Sequence, residues 1–153
     1  MSKKDGKPVW TQSPQSGKSV RFNAAPESTD GQSPAWQFHK RDKDHTKWGW
    51  SKLSAEDFQG ILHTHLCQFE TMTWAEILKA SGGRTHGTNH HNIELSRCSK
   101  EAQKRLQELK SDDVDELFSL RINATTRLFG IKEGRVLRFI WHDPDHSVYQ
   151  VKR

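Results

Sequence analysis

The apolar positions of this chain change period once, and that change divides it. Phe58, Ile61, Leu62, His65, Leu66 and Phe69 recur at helical spacing and form one stripe. Ser54 stands before them as an N-cap, with Glu56 and Asp57 in the first turn, where the helix dipole favours acids. Thr73-Trp74-Ala75-Glu76 reads as a capping box opening a short helix that faces Trp74, Ile77 and Leu78 inward. Ser81-Gly82-Gly83 stops it, and the polar, His-rich run from Arg84 to Asn92 reads as a loop. A third helix, about Ser99 to Lys110, presents Ala102, Leu106 and Leu109.

Beyond that point the pattern alternates. Phe118, Leu120 and Ile122 interleave with Ser119, Arg121 and Asn123, the signature of a half-buried strand. Asn123 to Thr126 turns the chain into a strand from Arg127 to Ile131. Glu133-Gly134 turns it again into Arg135 to His142, Asp143-Pro144-Asp145 breaks that strand, and Val148 to Val151 forms a last short one. Near the other end, Trp36 to His39 alternates like a strand, followed by a charged loop from His39 to Lys47. The fold class is therefore α+β, with N-terminal helices packed on a three- to five-stranded antiparallel C-terminal sheet.

Residues 1–34 are rich in Ser, Gly, Pro, Gln and Lys and hold few large apolar side chains, so they read as a disordered basic tail before a domain spanning 35–153. Only 32% of the 153 residues are hydrophobic and the mean hydropathy is −0.92, which fits a chain with part of its length outside any core. No apolar run reaches the roughly 18 residues of a membrane span, and no secretory h-region follows Met1, so the expectation is a cytoplasmic protein with no membrane association. Lys and Arg outnumber Asp and Glu by 24 to 19, a balance that favours a phosphate-bearing or acidic partner.

The meander is where that charge gathers. With two or four residues in the Glu133-Gly134 turn, Arg127 lies opposite Ile140 and Phe129 opposite Arg138. One sheet face then carries Leu128, Gly130, Leu137, Phe139 and Trp141. The other carries Arg127, Phe129, Ile131, Val136, Arg138, Ile140 and His142. Arg127, Arg138 and His142 would meet there as a cationic cluster, with Phe129 as a ring for a base to stack on. A three-residue loop with a bulge would instead send Arg127 to the opposite face.

The phrases Arg127-Leu128-Phe129-Gly130-Ile131, Glu133-Gly134 and Leu137-Arg138-Phe139-Ile140-Trp141-His142-Asp143-Pro144-Asp145-His146-Ser147-Val148-Tyr149 resemble the end of RelE/ParE-superfamily toxins. They are more similar still to a group of small uncharacterised bacterial and phage proteins with the same C-terminal phrases. The resemblance covers about the last 40 residues. It implies a RelE-like fold and a toxin-like endoribonuclease that cleaves mRNA, in a ribosome-dependent manner, with an antitoxin protein as partner and no cofactor. It further implies that Arg127 and Arg138 stabilise charge on the phosphate, while His142, His146 or Tyr149 moves protons. Arg121, Lys132, Arg135, Lys152 and Arg153 would add phosphate contacts.

Two other readings stand beside this one. The same basic face could serve a non-catalytic nucleic-acid-binding or protein-interaction module. A metal-dependent nuclease would use His142, Asp143, Asp145 and His146, although Asp-Pro-Asp also reads as a plain turn and no complete zinc-like ligand set is present. His63 and His65 point about 200° apart on a helix and cannot grip one ion. Cys67 and Cys98 form no metal or redox spacing.

Overall fold

The computed structural model describes residues 28–80, 89–111 and 113–150. Its sheet has five strands: β1 (Ala35–Gln37), β2 (His91–Glu94), β3 (Glu116–Arg121), β4 (Arg127–Glu133) and β5 (Val136–Asp143). They lie in the order β1-β5-β4-β3-β2. The sheet is mixed rather than antiparallel throughout, because β1 runs parallel to β5 with Trp36 beside Leu137. Strand β2 begins in the segment whose polar composition reads as a loop, with His91 and Asn92 inside it and Ile93 and Glu94 beyond it. Only Ile93 of it is buried, and its extended form comes from pairing with β3, His91 opposite Ser119 and Ile93 opposite Leu117. The last strand expected from Val148 does not form among the described residues, and Val151 lies outside them.

The helices follow their local signals. Ser54 accepts from the Asp57 amide and opens α1 (Ala55–Ile61), which continues through a π turn (Leu62–Leu66) into Cys67–Phe69. The wider turn brings Ile61 and Leu66, five residues apart, onto one buried side. Thr73 and Glu76 close the expected capping box on α2 (Trp74–Lys79). Ser99 caps α3 (Lys100–Glu108), which buries Ala102 and Leu106. The described chain starts at Ser28, seven residues before the expected domain start. Asp30 and Gln32 carbonyls accept the first amides of α2, from Ala75 and Trp74.

Both faces of the sheet are covered. One face packs Phe118, Leu120, Leu128, Leu137 and Phe139 against Trp50, Ile61, Leu66, Trp74 and Ile77. The other packs Leu117, Phe129, Ile140 and Trp141 against Ala102 and Leu106 of α3, Trp48, and Val148 and Tyr149 of the C-terminal segment. Strand β3 is therefore buried on both sides, Ser119 included, rather than half-exposed. Burying each such large side chain stabilises by roughly 1.5–3 kcal/mol, so a sheet sandwiched this way leaves little apolar surface for a ligand to use.

Register decides which residues share a face. The β4–β5 turn has Gly134 and Arg135 as its two central residues, with Glu133 opposite Val136 and Gly134 at φ +62. A positive φ at the first central position is what glycine supplies in such two-residue hairpins. Ile131 then pairs with Arg138 and Gly130 with Phe139, but a bulge at Phe129/Gly130 shifts the rest, so Phe129 pairs with Trp141, Leu128 with His142 and Arg127 with Asp143. A side chain on Gly130 would run into the Arg138 carbonyl across this bulge.

A buried carboxylate ties the loop after β1 to the rest. Asp42, 2% exposed, accepts from Arg105 Nε and Nη2 of α3, each at 2.8 Å, and from the Trp141 indole at 2.8 Å. The amides of Asp44 and His45 add two longer bonds. Burial alone would raise the carboxyl's pKa, but these donors outweigh it and hold it down at about 2.

Two outcomes follow for stability. Gly130→Ala is expected to cost at least about 2 kcal/mol in urea unfolding, since backbone on β5 cannot yield without breaking the bulge. Asp42→Asn should cost about 3–5 kcal/mol, because Arg105 is left without its bidentate partner. Since Asp42 is depressed below its unfolded value of 3.8, its contribution is complete above about pH 4 and is lost as pH falls toward 2. Acid titration of wild type against the variant, followed by circular dichroism, should show about 2 kcal/mol of pH dependence that the variant lacks.

Candidate functional site

The bulge takes apart the cluster expected from the alternation. His142 turns to the face of Leu128, half-buried 5.9 Å from the Trp50 ring, where burial lowers its pKa. Arg138 shares a face with Arg127 but sits beside Ile131, four residues along the strand from it. Phe129 is 1% exposed beneath α3, so it offers no stacking surface. Lys132 lies on the other face, its ammonium 4.6 Å from the centre of the Trp74 ring and donating to the Gly134 carbonyl. Arg135 sits in the turn and donates to the Ser33 carbonyl. His146 adopts φ 56 in the C-terminal segment and is half-buried. Lys152 and Arg153 lie outside the described residues.

Arg121 and Arg127 do come together, and Tyr149 is linked to them through two residues that sequence reasoning did not place in the site, His91 and Arg97. Across the end of the sheet, Arg121 of β3 stands opposite Arg127 of β4, which stands opposite Asp143 of β5. Like charges directly opposite on a sheet repel, so something must hold them. Carbonyls hold them in part: Arg127 Nη1 donates to Asn123 and Thr126, and Arg121 donates to the Asn123 carbonyl and to Asn89 Oδ1. Beside this row runs His91-Ser119-Phe129-Trp141 on the same face. Next along the chain, the short helical turn Leu95–Arg97 carries Arg97, whose Nη2 donates to the Tyr149 hydroxyl at 2.9 Å and whose guanidinium lies 5.4 Å from that ring's centre.

Asp143 lies opposite Arg127 and its charge acts on that guanidinium, but without a direct ion pair. Its two oxygens accept from the amides of Asp145, Ser147 and Val148 and from the Ser147 hydroxyl. Asp-Pro-Asp is thus a turn built round one carboxylate. Arg97 and Arg127 make no ion pair with a described carboxylate. Among the described residues, no three His, Cys, Asp or Glu side chains gather as a metal-ligand set.

His91 is the titratable group set among these cations. Its pKa is lowered, first by burial and then by the charges of Arg127 and Arg97, so it is neutral at pH 7. Its Nδ1 is buried and has no hydrogen-bond partner. The adjacent His90 is pushed down to about 4 by burial, with Arg121, His91 and Arg127 adding to it, and its Nδ1 accepts the Arg121 amide at 3.0 Å. His90 therefore holds the strand end, while His91 makes no side-chain hydrogen bond with a described residue. A neutral imidazole beside guanidiniums can accept a proton near a bound anion. The missed residues carried little local signal: His91 lay in a run that reads as loop, and Arg97 in a single helical turn.

Among the described residues, no helix is long and apolar enough to cross a membrane. Compared with known proteins, the chain matches no family model, no curated protein and no solved structure.

The cluster makes a directional prediction about His91. Arg127→Gln removes a charge that lowers the imidazole's pKa, so the His91 titration followed by NMR should move up toward 6.5. No movement would mean that Arg127 does not act on His91.

Proposed function

We propose that the chain is a toxin-like endoribonuclease that cleaves mRNA without a metal and is restrained by an antitoxin partner. The phosphodiester sits at Arg97, Arg121 and Arg127, and His91, rather than His142, moves the first proton. The observation that carries this reading is His91 itself, a half-buried imidazole set among guanidiniums, its pKa lowered first by burial and then by the charges of Arg127 and Arg97. The resemblance of residues 127–149 to RelE/ParE toxins supports the reading from sequence. The chemistry balances without an added reactant. His91 takes the proton of a ribose 2′-hydroxyl, and that oxygen attacks the adjacent phosphorus. The 5′-oxygen leaves with a proton from the Tyr149 hydroxyl, giving a 2′,3′-cyclic phosphate and a 5′-hydroxyl end. The guanidiniums stabilise the charge that grows on the non-bridging oxygens. The Tyr149 hydroxyl accepts from Arg97, which leaves its own hydrogen free to donate.

One observation favours a second reading, a non-catalytic RNA-binding module using the same arginines. Tyr149 is only 9% exposed, which narrows its access to a leaving oxygen.

Expression in bacteria separates the two. Wild type and His142→Gln should arrest growth and cleave mRNA, whereas His91→Gln and Arg127→Gln should lower cleavage by roughly 10²–10⁴-fold, the usual contribution of a positioned acid or base. Intact RNA and normal growth with wild type would sink the nuclease. Retention of labelled RNA by that same protein, lost in Arg127→Gln, would leave the binding module standing.

A further inference from the structure

A second group of cations lies on the same sheet face, toward the hairpin end. Lys40, Lys110 and Arg138 line a cleft of about 490 Å³ with Ser111 and Asp113, over an apolar floor of Leu109, Ile131 and Ile140. Its size falls within the range of small-ligand pockets. Ile131, on its floor, is four residues along β4 from Arg127, about 13 Å at the usual strand rise, so this cleft is separate from the arginine row. None of the three cations makes an ion pair with a described residue, and Asp113 is the single carboxylate among the described residues that line the cleft. Arg138 also borders an adjoining cleft with Asp115, Glu116 and Glu133.

The backbone supplies an independent observation. Helix α3 ends in a Schellman motif: the Ser111 amide donates to Leu106 and the Lys110 amide to Gln107. The residue at the turn of that motif takes a left-handed conformation, and here it is Lys110, at φ 61. Glycine is the residue that adopts this conformation without strain. A lysine there carries strain at the lip of a cationic cleft, and strained positions concentrate where a side chain has work to do.

We infer that this cleft binds the phosphate of a nucleotide-sized group. Lys40, Lys110 and Arg138 meet the phosphate oxygens, and Leu109, Ile131 and Ile140 receive the less polar remainder. Arg138 contributes a planar fork suited to two oxygens, and the lysines contribute mobile point charges. Phosphate of this kind comes either from a free nucleotide or from one residue of an RNA strand.

Isothermal titration with ADP, and separately with a short single-stranded RNA, tests the inference on the full chain. Wild type, Lys110→Gly, Arg138→Gln and Arg127→Gln are compared, each with its melting temperature. Lys110→Gly relieves the strained backbone, so its melting temperature should hold or rise while affinity falls at least tenfold. Arg138→Gln should lose affinity similarly. Loss for ADP, with Arg127→Gln unchanged, assigns the cleft to a free nucleotide. Loss for RNA alone, in both cleft variants, assigns it to the RNA backbone. If neither anion binds wild type at millimolar concentration, or if both cleft variants bind as wild type does, the inference is overturned. Failure of the arginine row alone would leave the ADP result untouched, so the two proposals fail separately.

Discussion

The Asp42 carboxylate is the contact on which the other parts of this fold converge. Three elements distant in sequence meet at its two oxygens: the loop after β1, Arg105 of α3 and Trp141 of β5. Without it, that loop would be a run of charged residues with no reason to lie against a core. With it, the loop follows the edge of β5, the Asp42 amide donating to Ile140 and the Trp48 carbonyl accepting from His142. Trp48 is thereby pressed against Trp141, and His45 stacks on Trp48 at 4.3 Å. His45 Nδ1 accepts two amides, which leaves the proton on Nε2, 3.3 Å from Glu101 of α3. A buried charge is costly unless its hydrogen bonds are complete, and here they are.

The bulge at Phe129/Gly130 sets what the other face can do. On the hairpin side of it, alternation read from sequence places Arg138, Ile131 and Val136 on the face they occupy, because the assumed register and the true one differ by two residues and so keep the same parity. Past it the parity flips. Trp141 moves under α3, His142 moves toward Trp50, and Asp143 arrives opposite Arg127. A single extra residue in one strand thus dissolves one cationic cluster, while the pairing of Arg127 with Arg121 on its other side is set by the regular β3–β4 register. Gly130 marks the place, but a glycine in a strand does not by itself say that a bulge follows.

What could be read locally was read correctly. Ser54, and Thr73 with Glu76, each act on amides three residues away, so a short window holds the whole interaction. What failed to show was set at a distance. His91–Glu94 becomes a strand because β3 lies beside it. The charged run at 39–47 buries Asp42 and His45 because Asp42 finds a guanidinium 63 residues away. Parallel pairing of β1 with β5 likewise depends on a partner about a hundred residues along. Of the candidate site, Arg121, Arg127 and Tyr149 were legible as basic or proton-bearing groups near the C-terminus. His91 and Arg97 were not, since only the folded sheet edge brings them to those three.

Two buried carboxylates on one face show why charge survives at one place and not at another. Asp42 and Asp143 are both nearly inaccessible, and each lies near an arginine. Asp42 gives both oxygens to its guanidinium, so Arg105 is neutralised and α3 is fastened. Asp143 gives its oxygens to the amides and hydroxyl of the turn that follows it, so Arg127 is left to carbonyls, which bind a cation without cancelling its charge. The fold could have closed the Asp143 turn with a neutral side chain only at the loss of acceptors for three amides and a hydroxyl. The carboxylate therefore serves the backbone first, and acts on Arg127 through its charge rather than through a hydrogen bond. An anion that reaches Arg127 meets a half-buried guanidinium that Arg121 repels and that Asp143 offsets only from across the strand, without an ion pair.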